Sequence, residues 1–197
     1  MTSPQIDTPR PQRADARRNR ALVLEAARRQ FAEHGLETQI DGIARQAGVG
    51  VGTVYRHFPT KEALLEALAT VRFEGMAEAA RAALEVTDPW QGFVDFMTYA
   101  ARTMAEDRGL AEATEQLADT CGRCAKAAGL PELTERLVRR AQASGQLRAD
   151  VSADDVPALV LGIGRAVRGP DGAPAMTWER YLEIVLAGVR PGAVRAS

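Results

Sequence analysis

The sequence predicts an all-α protein of about nine helices, and three observations carry that expectation. Apolar residues recur at helical spacing in one segment after another, and Gly or Pro breaks punctuate the segments. Residues 38–61, TQIDGIARQAGVGVGTVYRHFPTK, read as two short helices joined by a tight turn and followed by the start of a third. The chain has 197 residues, 46% of them hydrophobic, enough to bury a real core.

In chain order, residues 1 to about 18 are rich in Pro, Arg and small polar groups and lack periodic apolar residues. They are expected to be a flexible tail. Within it, Arg10, Arg13, Arg17 and Arg18 suit a phosphate backbone or minor groove, although a plain solvated tail explains them as well. A first helix is expected from Arg18 to His34, with Leu24, Ala27 and Phe31 as its stripe, Leu22 and Ala26 widening it, and Gly35 as the stop. Next, Ile40, Ile43, Ala44 and Ala47 recur at helical spacing, with Thr38 placed as an N-cap ahead of Asp41. Gly48 supplies a left-handed end, and Val49 plugs the turn. The following helix, from about Gly50 to His57, directs Val54 and Phe58 inward. Val51, Thr53, Tyr55, Arg56 and His57 are left facing out. This arrangement is a helix-turn-helix, whose second helix enters the major groove of DNA.

Thr60 caps a long fourth helix that runs to about Leu84 through Leu64, Leu65, Leu68, Val71, Met76 and Ala79 or Ala80. Asp88-Pro89-Trp90 starts a fifth, with Asp capping and Pro at the first helical position. It carries apolar residues on two sides, which suits a helix facing both a core and a cavity, and equally one buried in a bundle. By helix phase, Phe93, Phe96, Met97, Met104, Leu117 and Cys121 are the candidate cavity residues. Helices are expected over residues 109–128 and 131–144, separated by Gly129-Leu130-Pro131, and Gly145 ends the second. Two more cover about 153–168 and 177–189, with a loop over 168–174.

Charge is divided unevenly. Residues 1–61 hold 10 Lys and Arg against 6 Asp and Glu, a net of +4, while the remainder holds 15 against 20, a net of −5. A basic front with an acidic body suits an N-terminal part that touches phosphate. No apolar run reaches the roughly 18 residues of a membrane span, and the first residues have no apolar core to act as a secretory signal. A cytoplasmic, nucleoid-associated protein without membrane contact is the expectation. Enzyme signatures are missing: there is no phosphate loop, no GxSxG elbow and no HExxH, and the two histidines, His34 and His57, both fall in the DNA-binding part. No catalytic residue, cofactor or metal is expected. Cys121-Gly122-Arg123-Cys124 lacks the four ligands of structural zinc. It reads as packing, with a thiol-redox pair assisted by Arg123 as the alternative.

The run Ile43-Ala44-x3-Gly48-Val49-x2-Gly52-Thr53-Val54-Tyr55-x-His57-Phe58-x2-Lys61 resembles the DNA-binding signature of the TetR family of bacterial transcriptional regulators. A second piece, residues 141–150, resembles that family's connection into its last two helices. The resemblance implies a helix-turn-helix domain over residues 18–62, after the arginine-containing tail 1–17. It implies a helical effector-binding and dimerisation domain over 63–197. It also places residues 51–53, 55–57 and Lys61 against DNA, with Thr53, Tyr55 and His57 on phosphate, Lys61 as a charged clamp and Gly52 allowing close approach. Thr38 and Gln39, at the start of the preceding helix, lie where a phosphate is often met.

Two positions depart from the family pattern. Gly50 stands where Ser often caps the reading helix, and Val51 stands where a polar or basic residue is common. Val51 favours a thymine methyl group, which leaves Arg56 as the candidate guanine reader. For the last two helices the resemblance implies a homodimer interface, with Leu159, Gly162, Ile163, Ala166, Trp178, Tyr181, Leu182 and Val185 as candidates. Packing within one subunit is the alternative. The function so implied is a repressor released from a palindromic operator on double-stranded DNA by a small apolar or amphipathic effector. Constitutive binding without an effector and redox sensing through Cys121 and Cys124 are the alternatives, and activation is open.

Overall fold

A computed structural model describes residues 10–106, 118–166 and 176–192. Among these residues the regular structure is entirely helical. Helix α1 spans Arg10–His34, and a 3₁₀ turn, Gly35–Glu37, leads to α2, Ile40–Ala47, and α3, Val51–His57. Then come α4, Lys61–Glu85, α5, Pro89–Glu106, α6, Ala118–Ala127, and α7, Leu130–Ala143. The series ends with α8, Asp155–Ala166, and α9, Trp178–Gly188. The expected helical residues 109–117, Leu117 among them, and the loop 168–174 lie outside the described residues, as do the side chains of Arg10 and Arg13.

Helix α1 starts at Arg10, ahead of the expected Arg18. Pro11 does not prevent this, because a first-turn proline gives up an N–H that has no helical partner anyway. The expected stripe of α1, Leu24, Ala27 and Phe31 with Ala26, is buried, and only its widening at Leu22 differs. Val23 is fully buried beside Ala26, Ala27 and Phe31, whereas Leu22 is 43% exposed. Helices α2, α3 and α4 all pack along α1, and their combined footprint turns the stripe toward Val23.

Two separate apolar cores result. The first gathers Phe31 and Ala27 of α1, Ile43 and Ala44 of α2, Val54 of α3, Phe58, and Leu64, Leu65 and Leu68 of α4. The second gathers Met76, Ala77, Ala80 and Ala83 of α4, Phe93, Phe96 and Met97 of α5, Leu137 and Val138 of α7, Val160 and Ile163 of α8, and Leu182 of α9. Helix α4 belongs to both. Its expected stripe is broken at the waist: Val71 is 51% exposed, because the first core ends at Leu68 and the second begins at Met76.

Both ends of α4 are secured. The Thr60 hydroxyl accepts the Ala63 N–H at 3.1 Å, as its capping position requires. At the C-terminus, Arg140 of α7 donates to the carbonyls of Leu84 at 2.6 Å, Val86 at 2.5 Å and Thr87 at 3.2 Å. These are carbonyls that a helix end leaves without backbone partners, and a cation there also matches the helix dipole. Helix α5 begins as expected, with Asp88 Oδ1 accepting the Trp90 N–H at 3.0 Å. It then presses against α4 so closely that a Cβ on Gly92 would stand 2.3 Å from the Ala83 carbonyl oxygen.

Gly92→Ala is therefore expected to force the helices apart and destabilise the protein by about 1–3 kcal/mol. Gly122→Ala, whose Cβ meets nothing within 4 Å, is expected to be neutral or to stabilise α6 by up to about 1 kcal/mol. Urea denaturation of the two variants checks both signs; equal stabilities would show that the α4–α5 approach is not as tight as described.

Candidate functional site

The turn between α2 and α3 depends on one residue. Gly48 has φ +68°, and a Cβ there would meet nothing within 4 Å, so conformation rather than space calls for glycine. The Val49 N–H reaches back to the Ala44 carbonyl at 3.0 Å, closing the end of α2. Gly50, in extended conformation, starts α3, and its carbonyl accepts the N–H groups of Thr53 and Val54. Val54 is fully buried and Phe58 is 3% exposed, so the third helix is seated by its inner face.

The opposite face is then free. Val51 is 37% exposed and Tyr55 49%, Gly52 and Arg56 are exposed, and Thr53 and His57 are half-buried. His57 is turned partly inward: its Nε2 is closed off from solvent, and its ring stands 6.3 Å from that of Phe58. Lys61 lies at the beginning of α4 with Nζ 5.6 Å from the centroid of the Phe31 ring, an arrangement that rests its stem on the core's edge. Beside it, the carboxyl of Glu62 is held below the ordinary range by its own backbone N–H and by the Thr60 hydroxyl. Arg20 of α1, absent from the sequence-derived set, stands over Phe58 at 5.3 Å, next to the end of α3. Nothing in local periodicity marks it; only the packing of α1 on α3 brings it there.

Thr38 and Gln39 differ from expectation. Gln39, not Thr38, is the N-cap of α2, and its amide donates instead to the Glu37 carbonyl at 3.1 Å. Thr38 is 3% exposed, its hydroxyl within reach of the carbonyls of Gln30, 3.0 Å, and Gly35, 2.8 Å. The 3₁₀ turn after α1 draws the hydroxyl inward to satisfy carbonyls at the end of that helix. Thr38 thus ties α1 to α2 and turns its side chain away from solvent.

The second core borders a cavity of about 710 Å³ that is partly open to solvent. Of the expected residues, Phe96, Met104 and Cys121 line it, while Phe93 and Met97 are fully buried in the surrounding core. Leu117 is outside the described residues. Sequence phase on α5 alone missed the other walls: Arg72, Phe73 and Met76 of α4, Thr134 of α7, and Val156, Val160, Leu161 and Arg165 of α8. Neither Cys121 nor Cys124 is held in a disulfide. Cys124 is buried with its Sγ 3.5 Å from the Thr70 hydroxyl, and Arg123 donates to Thr120 at 2.9 Å with Glu66 at 3.9 Å. Cys124 is thus packed between α6 and α4, whereas Cys121 lies on the cavity wall. Among the described residues no group of three or more His, Cys, Asp and Glu could hold a metal, and no helix is long and apolar enough to cross a membrane.

Helices α8 and α9 divide the candidate interface residues. Ile163, 1% exposed, and Leu182, 5% exposed, face the subunit's own core and are withdrawn from any outer surface. Leu159, Ala166, Trp178, Tyr181 and Val185 are half-buried, and Gly162 is exposed with open space where a Cβ would stand. Ile184, not anticipated from the sequence, is 47% exposed on α9. Gly164, by contrast, is the residue that lets α8 approach α5, with Met104 Cβ 3.2 Å from where its own would be.

Residues 23–68 match the family described as bacterial regulatory proteins, tetR family, and residues 88–191 match the C-terminal domain of SbtR-like transcriptional regulators. The structure is similar to that of a TetR transcription regulatory protein from Mycobacterium vanbaalenii, at 38% identity and a TM-score of 0.67, covering 91% of this chain and 99% of that one. It is also similar to a TetR transcriptional regulator from Streptomyces coelicolor, at 29% identity and a TM-score of 0.65, covering 88% and 99%. An HTH-type transcriptional regulator of Staphylococcus aureus (strain USA300) is 43% identical over 53 residues, 26% of this chain. The chain thus matches only 29% of that curated relative's length.

Thr38→Val, which removes the hydroxyl and keeps the shape, is expected to lower stability by about 1 kcal/mol through loss of the hydroxyl's hydrogen bond to the carbonyls of Gln30 and Gly35. Thermal unfolding measures it. A variant as stable as the original protein would mean that this hydroxyl does not join α1 to α2.

Proposed function

Because the chain belongs to the TetR family of bacterial regulators, with a DNA-binding helix-turn-helix, we propose that it is a dimeric repressor released from a palindromic operator by a small apolar or amphipathic effector. The observation that carries this reading is α4, whose first half is packed into the helix-turn-helix core and whose second half walls the cavity. A ligand that favours one packing of the cavity walls thereby favours one setting of the reading head. The head and body divide near residue 62 on this reading, with the start of α4 shared, and the head takes in all of α1 from Arg10.

On DNA, Val51 meets a thymine methyl and Arg56 reads guanine. Thr53, Tyr55 and His57 meet phosphate, Lys61 clamps it, and Gly50 and Gly52 admit the backbone closely. Gln39 adds a polar group from the start of α2. Thr38 is left out of this set because its hydroxyl points inward. Dimerisation uses the outer face of α8 and α9, with Leu159, Gly162, Ala166, Trp178, Tyr181 and Val185, and Ile184 added by its exposure. Such a protein acts in the cytoplasm, on the nucleoid.

Selection of bound DNA from a random duplex pool at two salt concentrations tests the reading. The expected product is a palindrome with half-sites about one helical turn apart, bound less tightly as salt rises. Recovery of no motif, with weak salt dependence, would refute it. On the selected site, Arg56→Ala is expected to cost about 1–3 kcal/mol wherever the contacted guanine is present. A loss that is equal on sites without that guanine would reassign Arg56 to phosphate.

A further inference from the structure

We propose that Arg20 of α1 is a phosphate contact of the DNA-binding head, steadied by the ring of Phe58 and lying outside the contacts made by α2, α3 and Lys61.

Its position follows from the helix period. Leu24, Ala27 and Phe31 of α1 are buried in the core of the head. Arg20, four residues before Leu24, continues that line by one turn. An apolar side chain there would extend the core; an exposed cation ends it. The guanidinium carbon stands 5.3 Å from the centroid of the Phe58 ring. Phe58 is in turn fixed to α3, being 3% exposed and donating its N–H to the Val54 carbonyl at 2.8 Å. Helix α1 and the reading helix thus meet at one aromatic ring, with the cation supplied by α1.

The chemistry of this contact suits phosphate. A ring takes up none of the five N–H donors of a guanidinium. Those donors match phosphate oxygens in pairs, and a side chain already resting on a ring loses less freedom when they engage. A phosphate contact fixes orientation and carries no base information. Orientation is what α3 needs: it has seven residues, so its direction on DNA depends on what grips its ends. Arg20 over Phe58 and Lys61 over Phe31 are two cations from different helices, each seated on a ring of the same core, and both stand by the C-terminal end of α3.

The salt dependence of binding by the full chain, followed by fluorescence anisotropy of a labelled duplex, tests the proposal. Arg20→Gln keeps a stem over Phe58 and removes the charge. It is expected to make the slope of log affinity against log salt shallower by about 0.9 for each protomer bound. Between about 50 and 200 mM salt, the loss of affinity then becomes roughly threefold smaller per protomer. Arg20→Lys is expected to restore the slope. Arg29→Gln is the control. It stands nine residues further along, on the opposite side of α1, with Nε donating to Glu25 at 2.8 Å, and is expected to leave the slope unchanged. A slope unaltered by Arg20→Gln overturns the contact, whatever that variant does to thermal stability. So does a slope that Arg20→Lys fails to restore, or one that Arg29→Gln lowers equally, which would report net charge alone. Because a phosphate contact is independent of base sequence, a duplex of random sequence serves as well as a selected operator. The result therefore stands even where selection yields no motif and the palindromic-operator reading falls. Failure of the unaltered chain to bind any duplex overturns both.

Discussion

One rigid element joining two cores is the constraint on which the rest of this structure depends. Helix α4 buries Leu64, Leu65 and Leu68 in the helix-turn-helix and Met76, Ala77, Ala80 and Ala83 in the body. A helix transmits displacement along its axis because its backbone hydrogen bonds resist bending, so neither core is free of the other. The Thr60 cap and the Arg140 clamp secure its two ends, and the contact at Gly92 fixes how α5 lies against it. Between the cores, Val71 and Arg72 line a cleft, and Arg72 also belongs to the cavity wall.

The reading head illustrates how burial on one face presents chemistry on the other. Val54 and Phe58 seat α3, and the same geometry exposes Val51, Tyr55 and Arg56 together. Cations at its edge, Lys61 and Arg20, lean on Phe31 and Phe58, so the aromatic core positions charge as well as supplying burial. Thr38 takes the opposite role: a residue of polar type, near the reading helix in sequence, serves to join α1 and α2.

The body is built with small residues where helices meet and large ones around the space they leave. Gly92 and Gly164 let α4, α5 and α8 come close, and Phe73, Phe96, Met76 and Met104 line the cavity those helices surround. Methionine is unbranched and polarisable, so it fills the irregular spaces such walls leave.

The sequence by itself determined the all-helical class, the tight turn at Gly48, the caps at Thr60 and Asp88, and the inward Val54 and Phe58. Each is encoded within a turn or two of chain, by a left-handed glycine, a capping oxygen or a 3.6-residue stripe. Only the tertiary structure decided which apolar faces look inward. Phe93 and Met97 joined the core while Phe96 and Met104 faced the cavity, Val71 was left exposed, and Ile163 and Leu182 turned from the surface. A helix that is apolar on two sides carries no local mark of which side meets a neighbour. That choice is made by elements distant in sequence, as is the arrival of Arg140 at the end of α4 and the setting of Arg72 between a cavity and a cleft.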